Sequence, residues 1–511
     1  MPTPPQLTKT SLREWTNRHL NFTQKIEGLY DMANGVYDSR LAAYNAMTDA
    51  VQNFIRQAIA DNTTVRALGA GWSLSRVAAT PGRMLNTKAL NLIFNITPGS
   101  VAPAYAGAPD HLLLAQCGVS IQELNRFLEQ KKQCLPTSGA SNGQTIAGAL
   151  STGTHGAAFD VGAIPEFVVG LHLITGPDRH IWLERASYPV IADALAQRLN
   201  AELIRDDALF NAALVSFGSF GFIHGVLLET EPLYLLESHR LRLPFDARMQ
   251  QLMGSLDFDR AVGLPQGTGR PFHFQVTLNP YDLDDGVYVN VKYKLPYPDE
   301  PRGFWDDFGP GDDAPAIIGK LGDVLPALVP FTVNQLIGSQ YKPFSAKLAP
   351  PGDTFSNTTT YGKVLSAAIG IALPDVLPVT EMLLQLNRTE GPFNGVFAHR
   401  YVKRSSATLG FTAFAPVTCV LELDGVESKR NQRFCQKVWA ALDALQIPYT
   451  FHWGKIGEIT PARLRVAYGQ NVDAWLRARK ALLDPGAAVV FAHPLLTEWG
   501  LDDVEISGHI A

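Results

Sequence analysis

The sequence predicts an α+β protein of more than one domain. Three observations carry this: its length, the alternation of helix-like and strand-like segments through about residue 232, and a change of character near residue 235. At 511 residues the chain exceeds what one hydrophobic core commonly supports, so two or three domains are expected. Composition is that of an ordinary globular protein, 46% apolar and 18% charged, which favours no collagenous, disordered or membrane class. The net charge of -5 is spread along the chain without a block of like charges, so no nucleic-acid or anionic-membrane partner is expected. A small, mostly neutral molecule is the default partner.

The elements follow in order. Between residues 43 and 60, Val51, Phe54, Ile55, Ala58 and Ile59 recur at helical spacing, and Asp61-Asn62 stops the pattern. A short strand at 64–68 leads into a turn of Gly69, Ala70, Gly71, Trp72 and Ser73. Residues 111–116 read as a buried strand. Ser120 then opens a helix with Ile121, Leu124 and Leu128 on one face, and Glu123 stands three positions on, as a capping box requires. Strands at 168–175 and 222–230 bracket a helical segment at 188–199.

Beyond Leu233 come strands at 273–277 and 287–291, a Pro/Gly/Asp-rich run at 295–314, and apolar stretches at 324–338 and 364–379. Each stretch is shorter than the ~20 residues that cross a bilayer and contains prolines, so neither is expected to span one. They are expected to line a hydrophobic pocket or to pack as a cap. Residues 411–423 read as strand-rich, 431–445 as a helix, and 471–483 as a last helix stopped by Asp484-Pro485-Gly486.

Cys117, Cys134, Cys419 and Cys435 have neither CxxC nor Cys/His spacing, so buried thiols are expected, with no metal centre. Residues 1–15 contain no apolar run of the signal-peptide kind, and a cytoplasmic protein is the expectation.

Two glycine-bearing segments point to a ligand. The turn at Gly69 and Gly71 follows a strand, but the third glycine and the acidic residue of a Rossmann fingerprint are missing, so it supports no NAD site; taken alone it is a tight turn. Residues 138–156 hold five glycines, six Ser/Thr hydroxyls and one imidazole. Glycine lets backbone approach a ligand, and successive N–H groups in such turns form a concavity that suits a pyrophosphate. A loop that is merely glycine-rich is the alternative.

Together, residues 65–73, 115–128, 144–156 and Gly218-Ser219-Phe220-Gly221-Phe222-Ile223 resemble the FAD-binding domain of the vanillyl-alcohol-oxidase or p-cresol-methylhydroxylase type of FAD-linked oxidases. His452-Trp453-Gly454-Lys455, Tyr468, Trp475, Arg477 and Leu483-Asp484-Pro485 are similar to the C-terminal region of gulonolactone, arabinonolactone and alditol oxidases, with some similarity to covalent-type cholesterol oxidases. The resemblance implies a two-part FAD-binding domain, residues 1–235 and 451–511, with an inserted α/β substrate or cap domain at 236–450. It implies that Gly69, Ala70, Gly71, Trp72 and Ser73 hold the pyrophosphate. Ser138, Gly139, Thr145, Gly148, Ala149, Thr152, Thr154, His155 and Gly156 would run along the flavin and ribityl chain, with Gly221 and Ile223 towards the adenosine. Lys455 would lie by the isoalloxazine, where a cation stabilises the charge that develops on reduction.

The sequence departs from these relatives in two places. Where many carry a histidine tether, this chain has Ala70 or Trp72, so FAD is expected to bind non-covalently. Where lactone and alditol oxidases carry Glu-x-Arg, residues 396–401 read Val-Phe-Ala-His-Arg-Tyr, without the acid. That loss, Ala149 in place of a serine, and the apolar stretches favour a lipophilic substrate over a polyol. The expected activity is FAD-dependent oxidation of CH–OH in a small substrate by hydride transfer to flavin N5, with oxygen or another acceptor. His452 and His399 are candidate proton acceptors, Lys455 their electrostatic partner, and Arg400 a candidate flavin neighbour; His155 is assigned to the FAD loop. An oxidative cyclase or desaturase and a non-redox flavin scaffold are the alternatives.

Overall fold

The position of each β-rich segment along the chain decides which of three larger sheets it joins. In the computed structural model, residues 2–502 are described apart from 262, 266–268, 300–303, 305–316, 319 and 358–361. Most of the Pro/Gly/Asp-rich run at 295–314 therefore lies outside the described residues.

The first sheet has four strands. Gly28–Ala33 and Val65–Leu68 both pair in parallel with Arg83–Ala89, and Gln6–Lys9 adds an antiparallel edge. Parallel strands need a long crossover. The helix Arg40–Ala60 supplies it between Gly28–Ala33 and Val65–Leu68, capped by Ser39 and burying Met47, Val51, Phe54, Ile55 and Ala58. The second sheet has six strands in the order Glu202–Arg205, His180–Glu184, Val168–Ile174, Phe222–Glu229, Leu112–Gln116, Ile93–Asn95. The capping box forms on helix Ile121–Glu129: Glu123 N–H donates to Ser120 Oγ at 3.1 Å and Ser120 N–H to Glu123 Oε2 at 2.7 Å.

The third sheet has eight strands, all paired antiparallel, and runs in sequence from Tyr234–Leu243 to Thr450–Phe451. Side chains alternate across it. One face carries Phe274, Val276, Val289, Val291, Phe397 and Leu421 against helices Ala247–Ser255, Val376–Thr389 and Lys429–Ala444. The other face carries Gln275, Asn290, Arg400 and Glu422, all buried.

The first apolar stretch is half-buried, leaving Leu325, Leu328 and Phe331 exposed, and the second is mostly core. Helix Val329–Gln340 buries Val329, Val333 and Ile337 against Tyr288, Tyr341 and Val396. The second stretch is the strand Val364–Ala372 followed by helix Val376–Thr389. No helix among the described residues is long and apolar enough to cross a membrane. The strand expected from 411 begins only at Val417, because Pro416 has no N–H to give a ladder. All four cysteines are buried and unbridged.

The last segment returns to the start of the chain. From helix Asn471–Leu482, Trp475 Nε1 donates to Val215 O at 3.1 Å and Arg479 Nε to Ser219 O at 3.2 Å. Leu483, Val490 and Phe491 complete a cluster with Phe54, Ile55, Ile174 and Phe222.

Candidate active site

A cavity opens where the glycine turns, the polar face of the eight-stranded sheet and the segment around His452 converge. Its first wall is the turn after strand Val65–Leu68. A Cβ at Gly69 would lie 2.2 Å from Thr145 Oγ1, and Gly71 adopts φ +72°, so both positions need glycine. Residues 17–21 clamp this turn: Asn17 Nδ2 donates to Ser73 O, Asn21 Nδ2 to Leu74 O and Arg18 N–H to Gly71 O, each at 3.0 Å. The Arg18 guanidinium lies 4.6 Å from the Trp72 ring centroid. The turn is also tied to the C-terminal part, since Leu74 N–H donates to Gly454 O at 2.8 Å and Ser75 Oγ to Trp453 O at 2.6 Å.

Of the sequence-predicted cofactor residues, Gly69, Ala70, Gly71, Trp72, Ser73, Gly139, Thr145, Gly148, Thr152, Thr154, His155, Gly221, Ile223 and Lys455 line this cavity. Ser138, Ala149 and Gly156 are not among its lining. Ser138 Oγ is turned to Asn142 Oδ1 at 2.5 Å, Ala149 packs into the core beside Leu150, and the Gly156 carbonyl accepts from His155 Nδ1 at 2.9 Å. These three support the loop from behind.

A compact group of charges stands in the same cavity. Arg400 Nε lies 2.8 Å from Glu422 Oε2, and the Lys455 ammonium pairs with Glu422 Oε1. Burial alone would raise the Glu422 carboxyl, but Arg400, Lys455 and then His155 outweigh it and hold it well below the usual carboxylate range. Two residues on, Asp424 accepts from Ser366 Oγ at 2.5 Å, and burial pushes its carboxyl up to about 7. Lys455 is thus not a free cation for the flavin; its charge is matched by Glu422. Residues 396–401 carry no acid, but on the adjacent strand Val417–Val426 Glu422 stands opposite Ala398.

Two imidazoles complete the group, with ring centroids 5.4 Å apart. Burial lowers the His155 pKa to about 4 and lowers that of His452 well below its ordinary value, so both are neutral at pH 7. The hydrogen bonds assign their tautomers. His155 Nδ1 donates to the Gly156 carbonyl, leaving Nε2 as a bare acceptor. His452 Nδ1 accepts from Gly454 N–H at 3.0 Å, leaving the proton on Nε2.

His399 does not belong to this site. It shares the helix-covered face with Phe397 and Tyr401, and its Nε2 lies 2.9 Å from Thr380 Oγ1. Adjacent residues of a strand face opposite ways, so Arg400 reaches the cavity and His399 cannot. Sequence reasoning also missed His19, Arg66, Ser366 and Glu422, all of which line it. The available signal was a charged residue inside the short apolar strand at Arg66, and two buried acids, Glu422 and Asp424, in one strand.

Arg66 matters for what the cavity can hold. Its side chain is buried and none of its three nitrogens has a hydrogen-bond partner among the described residues. Glycine turns that a Cβ would obstruct, together with an unpaired buried cation, fit a large ligand that carries negative charge.

Comparison with known proteins agrees with this fit. A protein-family profile for the FAD binding domain matches residues 41–183. The D-arabinono-1,4-lactone oxidase of Debaryomyces hansenii is 25% identical over 40% of this chain, a match that spans about a third of that relative's length (34%). The L-gulono-1,4-lactone dehydrogenase of Mycobacterium tuberculosis is 23% identical over 81% of this chain and 86% of its own. Among solved structures, cholesterol oxidase from B. sterolicum superposes with a TM-score of 0.68 over 97% of both chains at 14% identity, which shows a shared fold. The chain carries an FAD-binding domain, its fold is shared with cholesterol oxidase, and FAD is its cofactor.

Proposed function

We propose that the protein is an oxidoreductase that oxidises a CH–OH group of a small hydroxylated substrate, an alcohol or a lactone, with FAD held non-covalently in the cavity. The observation that carries this reading is the Arg400–Glu422–Lys455 cluster beside two neutral imidazoles, on a cavity walled by glycine turns. The lactone names of the relatives support the same class. A lipophilic substrate loses part of its support, since the apolar stretches contribute only Val364 and Ser366 to the cavity.

FAD, when bound, supplies the hydride acceptor, flavin N5. The chain's own residues bind, orient and take the proton. Ionised Glu422 accepts from substrate hydroxyls while Arg400 and Lys455 hold it in place. As the hydride leaves the carbon with both electrons, the hydroxyl proton passes to the bare Nε2 of His155 and a carbonyl forms; His452 Nε2–H donates to the substrate oxygen. Molecular oxygen or another acceptor takes the electrons afterwards. Binding is assigned to residues 1–235 with 451–511, and substrate recognition to 236–450. Non-covalent attachment is supported by Trp72 and Ala70 at the tether positions, and by Cys117, a cavity thiol that burial pushes up to about 12 and keeps protonated.

An absorption spectrum before and after acid precipitation tests the first half. Yellow colour moving to the supernatant is expected; colour in the pellet would refute non-covalent binding, and a colourless protein that FAD cannot reconstitute would refute the whole reading. Anaerobic bleaching of the flavin by aldonolactones or polyols, and not by sterols, is expected. His155→Asn should slow that bleaching by ~10²-fold or more. An unchanged rate would remove His155 from proton transfer.

A further inference from the structure

Arg66 is the second residue of strand Val65–Leu68 and points into the cavity. It is 2% exposed, yet its Nε, Nη1 and Nη2 find no partner among the described residues. A guanidinium has five N–H donors in a fixed fork, and burying them unpaired is strongly unfavourable. Its charged neighbours make matters worse. Arg479 stands close enough to act on it, with its own donors committed to Ser219 O and Ala488 O. His493 is neutral, its Nε2 on Ala79 O and its Nδ1 accepting from Leu495 N–H. The carboxylate of Glu422 is held by Arg400 and Lys455, and its influence falls on His155 and His452, not on Arg66.

Such a group is built to meet an anion. Gly218, whose φ of +69° favours glycine, lies directly before it and lines the same cavity. FAD offers one part with formal negative charge, because its adenine, its ribityl hydroxyls and its oxidised ring are neutral. We propose that Arg66 is the counter-cation of the FAD diphosphate, receiving two of its oxygens on the guanidinium fork. This rests on the reading that FAD occupies the cavity. Backbone N–H groups of the glycine turns would supply direction, and Arg66 the charge. The apoprotein then holds a buried unpaired cation that the cofactor neutralises, so the residue that tightens FAD binding also destabilises the empty protein.

The test uses protein stripped of FAD, wild type against Arg66→Met and Arg66→Lys, titrated with FAD, ADP, adenosine and riboflavin and melted with and without FAD. Arg66→Met is expected to weaken FAD and ADP by ~10- to 100-fold, leave riboflavin and adenosine unchanged, and melt no lower than wild type when empty. Arg66→Lys should recover part of the loss. Equal FAD affinity in Arg66→Met and wild type overturns the proposal. So does an equal loss for riboflavin, which would mark a structural role, or a loss for adenosine as large as that for ADP, which would put the guanidinium on the adenosine. Failure of the wild type itself to bind FAD would instead strike the reading beneath it.

Discussion

The molecule buries two groups of histidines, and they differ in what surrounds them. In the core, Tyr44 Oη lies 2.8 Å from His172 Nδ1, His172 Nε2 lies 2.9 Å from His180 Nδ1, and His224 Nε2 lies 3.1 Å from the Tyr44 carbonyl. At the cavity, His155 and His452 stand beside Phe411 and the ionised Glu422, Arg400 and Lys455. Burial depresses the proton affinity of both groups: His224 falls to about 3 and His172 well below its ordinary value, much as at the cavity. A depressed imidazole therefore records burial, not a role. What separates the groups is an open cavity and fixed charges on one side, and neutral hydrogen bonds within the core on the other.

The sharpest way to test that distinction is Glu422→Gln. It keeps volume but removes the charge that two buried cations share, leaving Arg400 and Lys455 against each other. Substrate-driven flavin reduction is expected to slow by ~10²- to 10³-fold, since the loss falls where polar groups meet the reacting atoms. Stability should fall by ~3–5 kcal/mol in urea melts, as for other broken buried pairs. A variant that is less stable yet reduces flavin at the wild-type rate would reduce the cluster to scaffolding and erase the difference between the two groups.

Acid should act on both groups alike. Their folded pKa values lie below the unfolded value of about 6.5, so between the two the unfolded chain binds more protons. The stability each contributes is complete above pH 6.5 and is lost as pH falls from there towards pH 4 for His155 and pH 3 for His224. For one such histidine the full loss is roughly 3 kcal/mol, so urea midpoints should drop steadily between pH 7 and pH 5. Glu422, held low, adds its own loss as pH falls from the ordinary carboxylate range downward. Asp424, pushed up to about 7, works the other way and offsets part of the histidine loss between pH 7 and pH 5. A midpoint that stays level from pH 7 to pH 5 would mean that these imidazoles are not buried neutral.

The sequence made legible what is local. The turn at Gly69 and Gly71, the Ser120–Glu123 box and the His-Trp-Gly-Lys run are contiguous, and their chemistry can be read from neighbours in the chain. Glu422 was not legible as the partner of Arg400, because sheet register alone brings the two strands side by side. His399 was mistaken for a site residue although strand parity carried the correction: Phe397 and Tyr401, its partners at spacing two, are core. The clamp of Asn17, Arg18 and Asn21 left no pattern, since it reads backbone carbonyls. The apolar stretches looked alike as pocket or core, and only packing decides between those.

The smallest expected effect is also the one that can break the comparison. With Tyr44 donating to His172 Nδ1, the His172 proton sits on Nε2 and passes to His180, so the core chain is satisfied in one direction. Tyr44→Phe removes the donor and leaves His172 Nδ1 buried without one, which should cost ~1–3 kcal/mol in urea melts. Flavin reduction should be unchanged, because no side chain of this chain of hydrogen bonds lines the cavity. The two groups do approach through the backbone: Cys117, a cavity residue, donates its N–H to the His224 carbonyl at 3.0 Å. If Tyr44→Phe slowed flavin reduction more than about twofold, that strand would be transmitting the core's hydrogen bonds to the site, and the two histidine groups would have to be treated as one.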